Sequence, residues 1–197
     1  MKRVVLLLAV LAMAGYANAN LLVNGNFEDP GTGDAATGWE VWSWGDGWAN
    51  TEKADWGNGT WHIAVGANGN GGGGYYQIVD ATAGVEYTLT VDSGADDWWL
   101  PTGYMVMFFL DDEGTELLQV STNTVDPAVY GENYDIAHPW ESYSLSAIAP
   151  EGTTQIKVEF AANWATGSIG FDNAILVPEP ATLTILGLAS LLLRKRR

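Results

Sequence analysis

Glu86-Tyr87-Thr88-Leu89-Thr90-Val91-Asp92 alternates apolar and polar residues at each step. A helix would scatter such a pattern around its surface, whereas an extended strand sorts it onto two faces. Tyr87, Leu89 and Val91 take the face toward a core, and Glu86, Thr88, Thr90 and Asp92 take the face toward water. One half-buried strand of this kind needs partners. The rest of the chain supplies them.

Moving outward, strand-like segments recur at Leu21–Glu28, Gly38–Trp44, Thr60–Val65, Tyr75–Val79, Tyr104–Leu110, Glu116–Ser121, Trp140–Ala147, Gln155–Phe160 and Ser168–Leu176. Ile156, Val158 and Phe160 alternate against Lys157 and Glu159, which places those two charges toward water. Gly, Asn, Asp and Thr punctuate the chain at short intervals, and helical periodicity is confined to its two ends. Asp112-Glu113-Gly114-Thr115 reads as the turn of a hairpin. Many short strands separated by turns predict an all-β sandwich or barrel. No solenoid repeat and no internal domain boundary interrupts it. Asn68-Gly-Asn-Gly-Gly-Gly-Gly74 reads as a flexible loop; no helix or lysine follows to make it a phosphate cradle.

The two ends differ from this pattern. Lys2 and Arg3, the apolar run Val4–Ala14 and the small-x-small box Ala17-Asn18-Ala19 predict a signal peptide over residues 1–19, with an N-terminal membrane anchor as the other reading. The chain closes with VPEPATLTILGLASLLLRKRR, Val177 to Arg197. Its apolar run, Ala181–Leu193, is short beside the roughly 17 to 25 residues of a comfortable bilayer span. Arg194-Lys195-Arg196-Arg197 would stop transfer and stay inside the cell. Pro178 and Pro180 keep the preceding segment extended. The order Pro178-Glu179-Pro180, short apolar helix, basic cluster resembles the PEP-CTERM sorting signal of Gram-negative bacteria, here residues 178–197. That resemblance implies an exosortase-type processing enzyme as a partner and cleavage at or near Pro178-Glu179-Pro180. It also implies transient membrane insertion through the C-terminal helix, and delivery to the cell surface or extracellular matrix. A permanent C-terminal anchor is the plainer alternative.

Residues 20–177 remain as one domain. It holds 23 of the 24 acids but only two cations, Lys53 and Lys157. Basic patches for phosphate contact are absent, which excludes nucleic acid as a partner. No cysteine is present, so the core, alone or with a metal, must stabilise an exported domain without disulfides.

The segments NLLVNGNFEDP, GWEVW, GGGGYYQIVDATAGVEYTLTVDSGA and GSIGFDNAIL follow one another along this domain. Their order resembles carbohydrate-binding modules of the family 4/9 type, most specifically in the opening segment and in Phe171-Asp172-Asn173. The resemblance covers nearly all of residues 20–177. It implies a jelly-roll β-sandwich, galactose-binding-like, whose first and last strands lie together. It also implies a structural Ca²⁺ there, with Glu28 and Asp172 matching the family's acidic positions; ordinary strand-end carboxylates are the other reading. His62 and His138 lack zinc spacing and read as surface or half-buried residues.

All ten tryptophans lie in this domain. Sugar C–H faces stack on aromatic rings while polar side chains bond the hydroxyls. In Gly38-Trp-Glu-Val-Trp-Ser-Trp44, Trp39 and Val41 share one face, taken to the core, which turns Trp42 and Trp44 outward. Trp98 and Trp99 stand with Tyr130 and Tyr134 in acid-rich loops. Trp42, Trp44, Trp98 and Trp99 are therefore candidate ligand stackers, while Trp61 and Trp140 suit core packing. No Gly-x-Ser-x-Gly elbow, His-Glu-x-x-His or catalytic cysteine occurs, and the pairs Asp96-Asp97 and Asp111-Asp112 read as solvated turn acids. Two functions fit: a non-catalytic surface module that recognises neutral glycan or exopolysaccharide, or an acidic structural matrix protein without a specific ligand. Exposed tryptophans on one sheet face favour the first, and buried ones the second.

Overall fold

The computed structural model describes residues 20–32, 35–53, 59–95, 102–125, 138–163 and 166–179. The proposed signal peptide, Trp98, Trp99, Tyr130, Tyr134, Asp96-Asp97, Pro180 and the C-terminal apolar run lie outside them. Among the described residues eight strands form: β1 Glu40–Glu52, β2 His62–Asp80, β3 Glu86–Ala95, β4 Thr102–Leu110, β5 Glu116–Asn123, β6 His138–Ile148, β7 Gln155–Asn163 and β8 Thr166–Pro178. Every pairing is antiparallel, in the order β5-β4-β7-β2-β8-β3-β6, with β1 on β2. The protein is an all-β jelly-roll sandwich.

Strand β2 joins the two layers. Its first part, Ile63–Asn68, pairs with β8, and its second, Gly72–Asp80, pairs with β7. The glycine run is thus no loop. It is the middle of a 19-residue strand that passes from one sheet to the other. Propensity disfavours glycine in a strand, but the facing β1 carries bulky indoles that need the space. A Cβ on Gly74 would lie 2.7 Å from Trp42 Nε1, and one on Gly72 2.8 Å from Trp44 Nε1.

The core fills from both layers. Phe160 of β7 stacks on Phe171 of β8, with ring centroids 5.2 Å apart, and meets Trp39 at 5.7 Å. Met105, Met107 and Phe109 from β4 and Tyr87, Leu89 and Val91 from β3 complete it, as the alternation of β3 requires. Trp39 is buried as expected, but Val41 is 38% exposed. Although it stands opposite core residue Tyr75, it lies on β1, which pairs only with β2 and so leaves that margin open. The β4–β5 hairpin forms with its turn capped by Asp111, whose Oδ1 accepts from the backbone N–H of Glu113 (3.0 Å) and Thr115 (2.7 Å).

The opening segment Leu21–Glu28 is not a strand. It runs as turns beside β8, tied to it by two backbone bonds, Leu21 N to Leu176 O (2.9 Å) and Ala174 N to Gly25 O (2.7 Å), and by side chains elsewhere. Asn20 Nδ2 donates to Ala174 O (2.9 Å), and its Oδ1 accepts from the N–H of Leu22 (3.1 Å) and Leu176 (2.9 Å). Asn24, at φ 50°, donates to Asp29 O (2.8 Å) and Thr37 O (3.1 Å) and accepts from Asp29 N (3.2 Å). Gln77, buried in β2, accepts from Val23 N (2.8 Å) and donates to Val23 O (3.1 Å) and Gly38 O (2.8 Å). Phe27 is thereby held against Trp39, ring centroids 5.1 Å apart.

Candidate functional site

The outer face of the β5-β4-β7-β2 layer, with the first half of β1 beside it, is built in register. Residues directly opposite one another on neighbouring strands share a face. One row reads Trp42, Gly74, Ala161, Tyr104, Asn123 across five strands. The next reads Glu40, Tyr76, Glu159, Val106, Ser121. A third reads Ile78, Lys157, Phe108, Gln119, and on the other side Trp44, Gly72, Asn163 and Thr102 align. Aromatic rings on β1 and β4 thus face one another across small residues, three strand spacings or about 14 Å apart.

Over β5, β4 and β7 an open groove of about 270 Å³ is lined by Tyr104, Val106, Phe108, Gln119, Ser121, Glu159, Ala161 and Asn163. Val106 and Ala161 make a buried apolar floor, Tyr104 and Phe108 are half-buried, and Gln119 and Ser121 are exposed. Trp44 is 38% exposed and its Nε1 donates to Asn163 Oδ1 at 3.4 Å, which ties the indole to the groove's edge. Trp42 is half-buried, its indole close above Gly74.

Lys157 does not extend into water. Its Nζ lies 4.1 Å from the Phe108 ring centroid and 5.4 Å from that of Tyr76, and it pairs with Glu159 at 2.9 Å. The strand alternation is right, but the side facing away from the core is itself apolar and aromatic, so the lysine stem packs on it. Tyr76 Oη donates to Glu40 Oε2. That hydrogen bond, with burial and the negative charge of Glu40 and Glu159, raises the phenol above its ordinary value of 10.0.

Of the candidate stackers, Trp44 reaches this groove's edge through Asn163, Trp42 stands in the Tyr104 row but lines a separate open pocket of about 420 Å³ along β1 with Val41, Ser43 and Trp48, and Trp98 and Trp99 lie outside the described residues. The sequence reading missed Tyr104, Phe108, Tyr76 and Asn163. A signal was present in Gly103-Tyr-Met-Val-Met-Phe-Phe-Leu110. Met105, Met107 and Phe109 serve the core, yet Tyr104, Val106 and Phe108 on the opposite face are also apolar. A strand with no polar face has two surfaces to cover.

Glu28 and Asp172 sit on the other layer. Asp172, 1% exposed, accepts from Thr60 Oγ1 (3.0 Å) and from the N–H of Asn173 (2.6 Å), and Glu28 Oε1 accepts from Trp61 N (3.1 Å). The two carboxylates thus bind consecutive residues, 60 and 61. Hard oxygen donors with one nearly buried anion fit a calcium ion in kind. Among the described residues no third acid or histidine joins them, so backbone carbonyls would complete the shell. His62 is fully buried rather than at the surface, against the Trp140 ring (5.3 Å) and 3.5 Å from Glu52 Oε1. Trp61 and Trp140 are half-buried.

Pro178 and Glu179 are extended but held on β3. Pro178 ends β8 opposite Tyr87, Glu179 N donates to Glu86 O (2.7 Å), and Thr88 Oγ1 donates to Glu179 Oε1 (2.9 Å).

No family model and no curated protein matches the chain. Among solved structures it is similar to the enzymatically active domain of tailspike protein 4 of bacteriophage CBA120, with a TM-score of 0.64 at 15% identity. That match covers 81% of this chain and 21% of the other, so the chain spans about a fifth of the tailspike domain's length. It is similar to a CBM4 module, with a TM-score of 0.54 at 17% identity over 80% of this chain and 99% of that one. It is also similar to TmCBM61 in complex with β-1,4-galactotriose, with a TM-score of 0.52 at 21% identity over 82% and 100%. At these identities the likeness is one of fold, the β-sandwich that carbohydrate-binding modules of several families adopt.

Proposed function

We propose that this chain is a non-catalytic carbohydrate-binding module that takes neutral glycan, such as exopolysaccharide, on the outer face of the β5-β4-β7-β2 layer. One observation carries the reading: in-register rows place Trp42 opposite Tyr104 across the small residues Gly74 and Ala161, with Trp44 in the neighbouring row beside Asn163, and with Gln119, Ser121 and Asn163 at hydroxyl-bonding positions. Such a surface stacks pyranose faces and orients them with few polar groups. The lining holds one carboxylate, Glu159, already paired with Lys157. It offers no unengaged cation to an acidic sugar.

Calorimetric titration against neutral polysaccharides tests this. Tyr104→Ala and Trp44→Ala should each weaken binding by more than about 1 kcal/mol, as loss of an aromatic anchor does. The melting temperature of Trp44→Ala should change little, because its ring is exposed. Absence of binding to every neutral polysaccharide, in a folded protein, would overturn the reading. It would leave the acidic matrix role, which the excess of 23 acids over two cations favours.

The further proposals concern destination and metal. Residues 1–19 direct export, and residues 178–197 act as a PEP-CTERM signal recognised by an exosortase-type enzyme, leaving the domain at the cell surface or outside the cell. Mass spectrometry of protein from the native host should find Arg194–Arg197 removed; an intact C-terminus would mean a plain anchor. Glu28 and Asp172 would contribute two carboxylates to a structural Ca²⁺ that stabilises the fold.

A further inference from the structure

Resting on the reading of this face as a glycan site, we propose that Lys157 sets its specificity, acting as a cap that closes the groove at the Phe108 end and restricts it to a short stretch of neutral glycan. The groove runs from Asn163 and Tyr104 toward Phe108, along β7 and β4. At the Phe108 end, Lys157 Nζ lies 4.1 Å from that ring's centroid while also within reach of Tyr76 at 5.4 Å. A cation held over a ring is attracted by its quadrupole and occupies the face a sugar would stack on. Glu159 fixes it there at 2.9 Å, with side-chain exposures of 27% for the lysine and 13% for the glutamate.

The placement is specific to this position. The domain has two lysines and no arginine. Lys53 is exposed beyond the end of β1, while Lys157 sits among the aromatic residues of the candidate site. Two ring faces, those of Phe108 and Tyr76, are therefore withheld from ligand, while Tyr104 lines the groove and Trp44 stands 38% exposed at its edge. Since Lys157 and Glu159 neutralise each other, a carboxylated sugar gains no ion pair here and meets an overwhelmingly acidic domain.

The test uses the folded domain and neutral β-1,4-linked gluco-, galacto- and xylo-oligosaccharides of increasing length, titrated by calorimetry. For wild type, affinity should stop rising at a short oligomer. For the double variant Lys157→Ala/Glu159→Gln, which removes both charges and leaves no unpaired carboxylate, affinity should keep rising with length. The longest oligomers should bind roughly fivefold to tenfold tighter than to wild type, the worth of one added aromatic contact. Lys157→Arg, which keeps the cap, should retain the wild-type plateau. Selective amine labelling reads the cap without sugar: Lys53 should react well before Lys157. An unchanged length dependence in the double variant would overturn the cap while leaving the glycan site intact. No binding by wild type or any variant would overturn the glycan site and the cap together.

Discussion

Gln77→Leu tests how much of the opening segment's attachment comes from its one anchor on β2. Gln77 is 7% exposed and makes three hydrogen bonds, to the N–H and C=O of Val23 and to the C=O of Gly38. Leucine fills a similar volume but makes none of them. At about 0.5–1.5 kcal/mol each, the lost bonds sum to roughly 1.5–4.5 kcal/mol. Val23 is 60% exposed, so water can reach part of what is freed, and the middle of that range, about 2–3 kcal/mol, is expected. Urea unfolding followed by fluorescence measures it as a fall in midpoint. Hydrogen exchange should localise the loss to residues 20–39, since Phe27 and Trp39 are held down by that segment. Gln77→Glu adds a pH signature. It keeps the acceptor for Val23 N–H but aims a carboxylate at two carbonyls. Burial there favours the protonated acid, so its folded pKa rises above the unfolded value of about 4.3. Between the two values the folded state binds more protons, so stability falls as pH rises through that window. This variant should be closest to wild type in acid. A Leu variant within about 0.5 kcal/mol of wild type, or a Glu variant with no added pH dependence, would refute the argument.

Three further outcomes are expected. Gly74→Ala places a Cβ 2.7 Å from Trp42 Nε1 and 2.9 Å from Phe160 O, so it should destabilise by about 1–3 kcal/mol in thermal unfolding despite alanine's better strand entropy. The Tyr76 phenol is held neutral by its bond to Glu40, so in an ultraviolet titration one tyrosine should ionise above the ordinary 10.0 and Glu40→Gln should bring it down. Because its folded pKa is raised, the stability it contributes is full below 10.0 and disappears as pH climbs through the folded value. If Ca²⁺ binds at Glu28 and Asp172, chelator should lower the melting temperature, by the equivalent of about 2.7 kcal/mol at a hundredfold excess over Kd, and Asp172→Asn should abolish the response.

The layer order was not legible in the sequence, but much of its material was. Alternation in β3 and β7 assigned core faces correctly because a single period of two governs each strand. It failed to say what the opposite face of β7 meets, and so sent Lys157 and Glu159 to water. The glycine run misled for a local reason: five glycines and two asparagines look unstructured until the indoles that need the missing Cβ atoms of Gly72 and Gly74 are placed opposite. Those indoles lie about 30 residues upstream, and no local signal pairs the two. In NLLVNGNFEDP the asparagines were visible and the strand was not there: backbone bonds to β8 form only at Leu21 and Gly25, and between them the chain turns, with Asn20 and Asn24 supplying side-chain amides. Trp42 and Trp44 could be found by counting along one strand. Tyr104, Phe108 and Asn163 belong to the same surface only through the register of β1, β2, β7 and β4.

The route of β2 has a mechanical consequence. A pull on Pro178 along the chain loads β8, which lies between β2 and β3. The ladder bonds run perpendicular to the strands, so they meet such a load side by side, in shear, rather than one after another. From β8 the tension reaches the groove-bearing layer through Ile63–Asn68 and the glycines that follow in the same strand. Gly71–Gly74, which have no side chains of their own, thus lie on a path between a pull at Pro178 and the groove-bearing layer, and Trp42 and Trp44 of β1 brace them along one side.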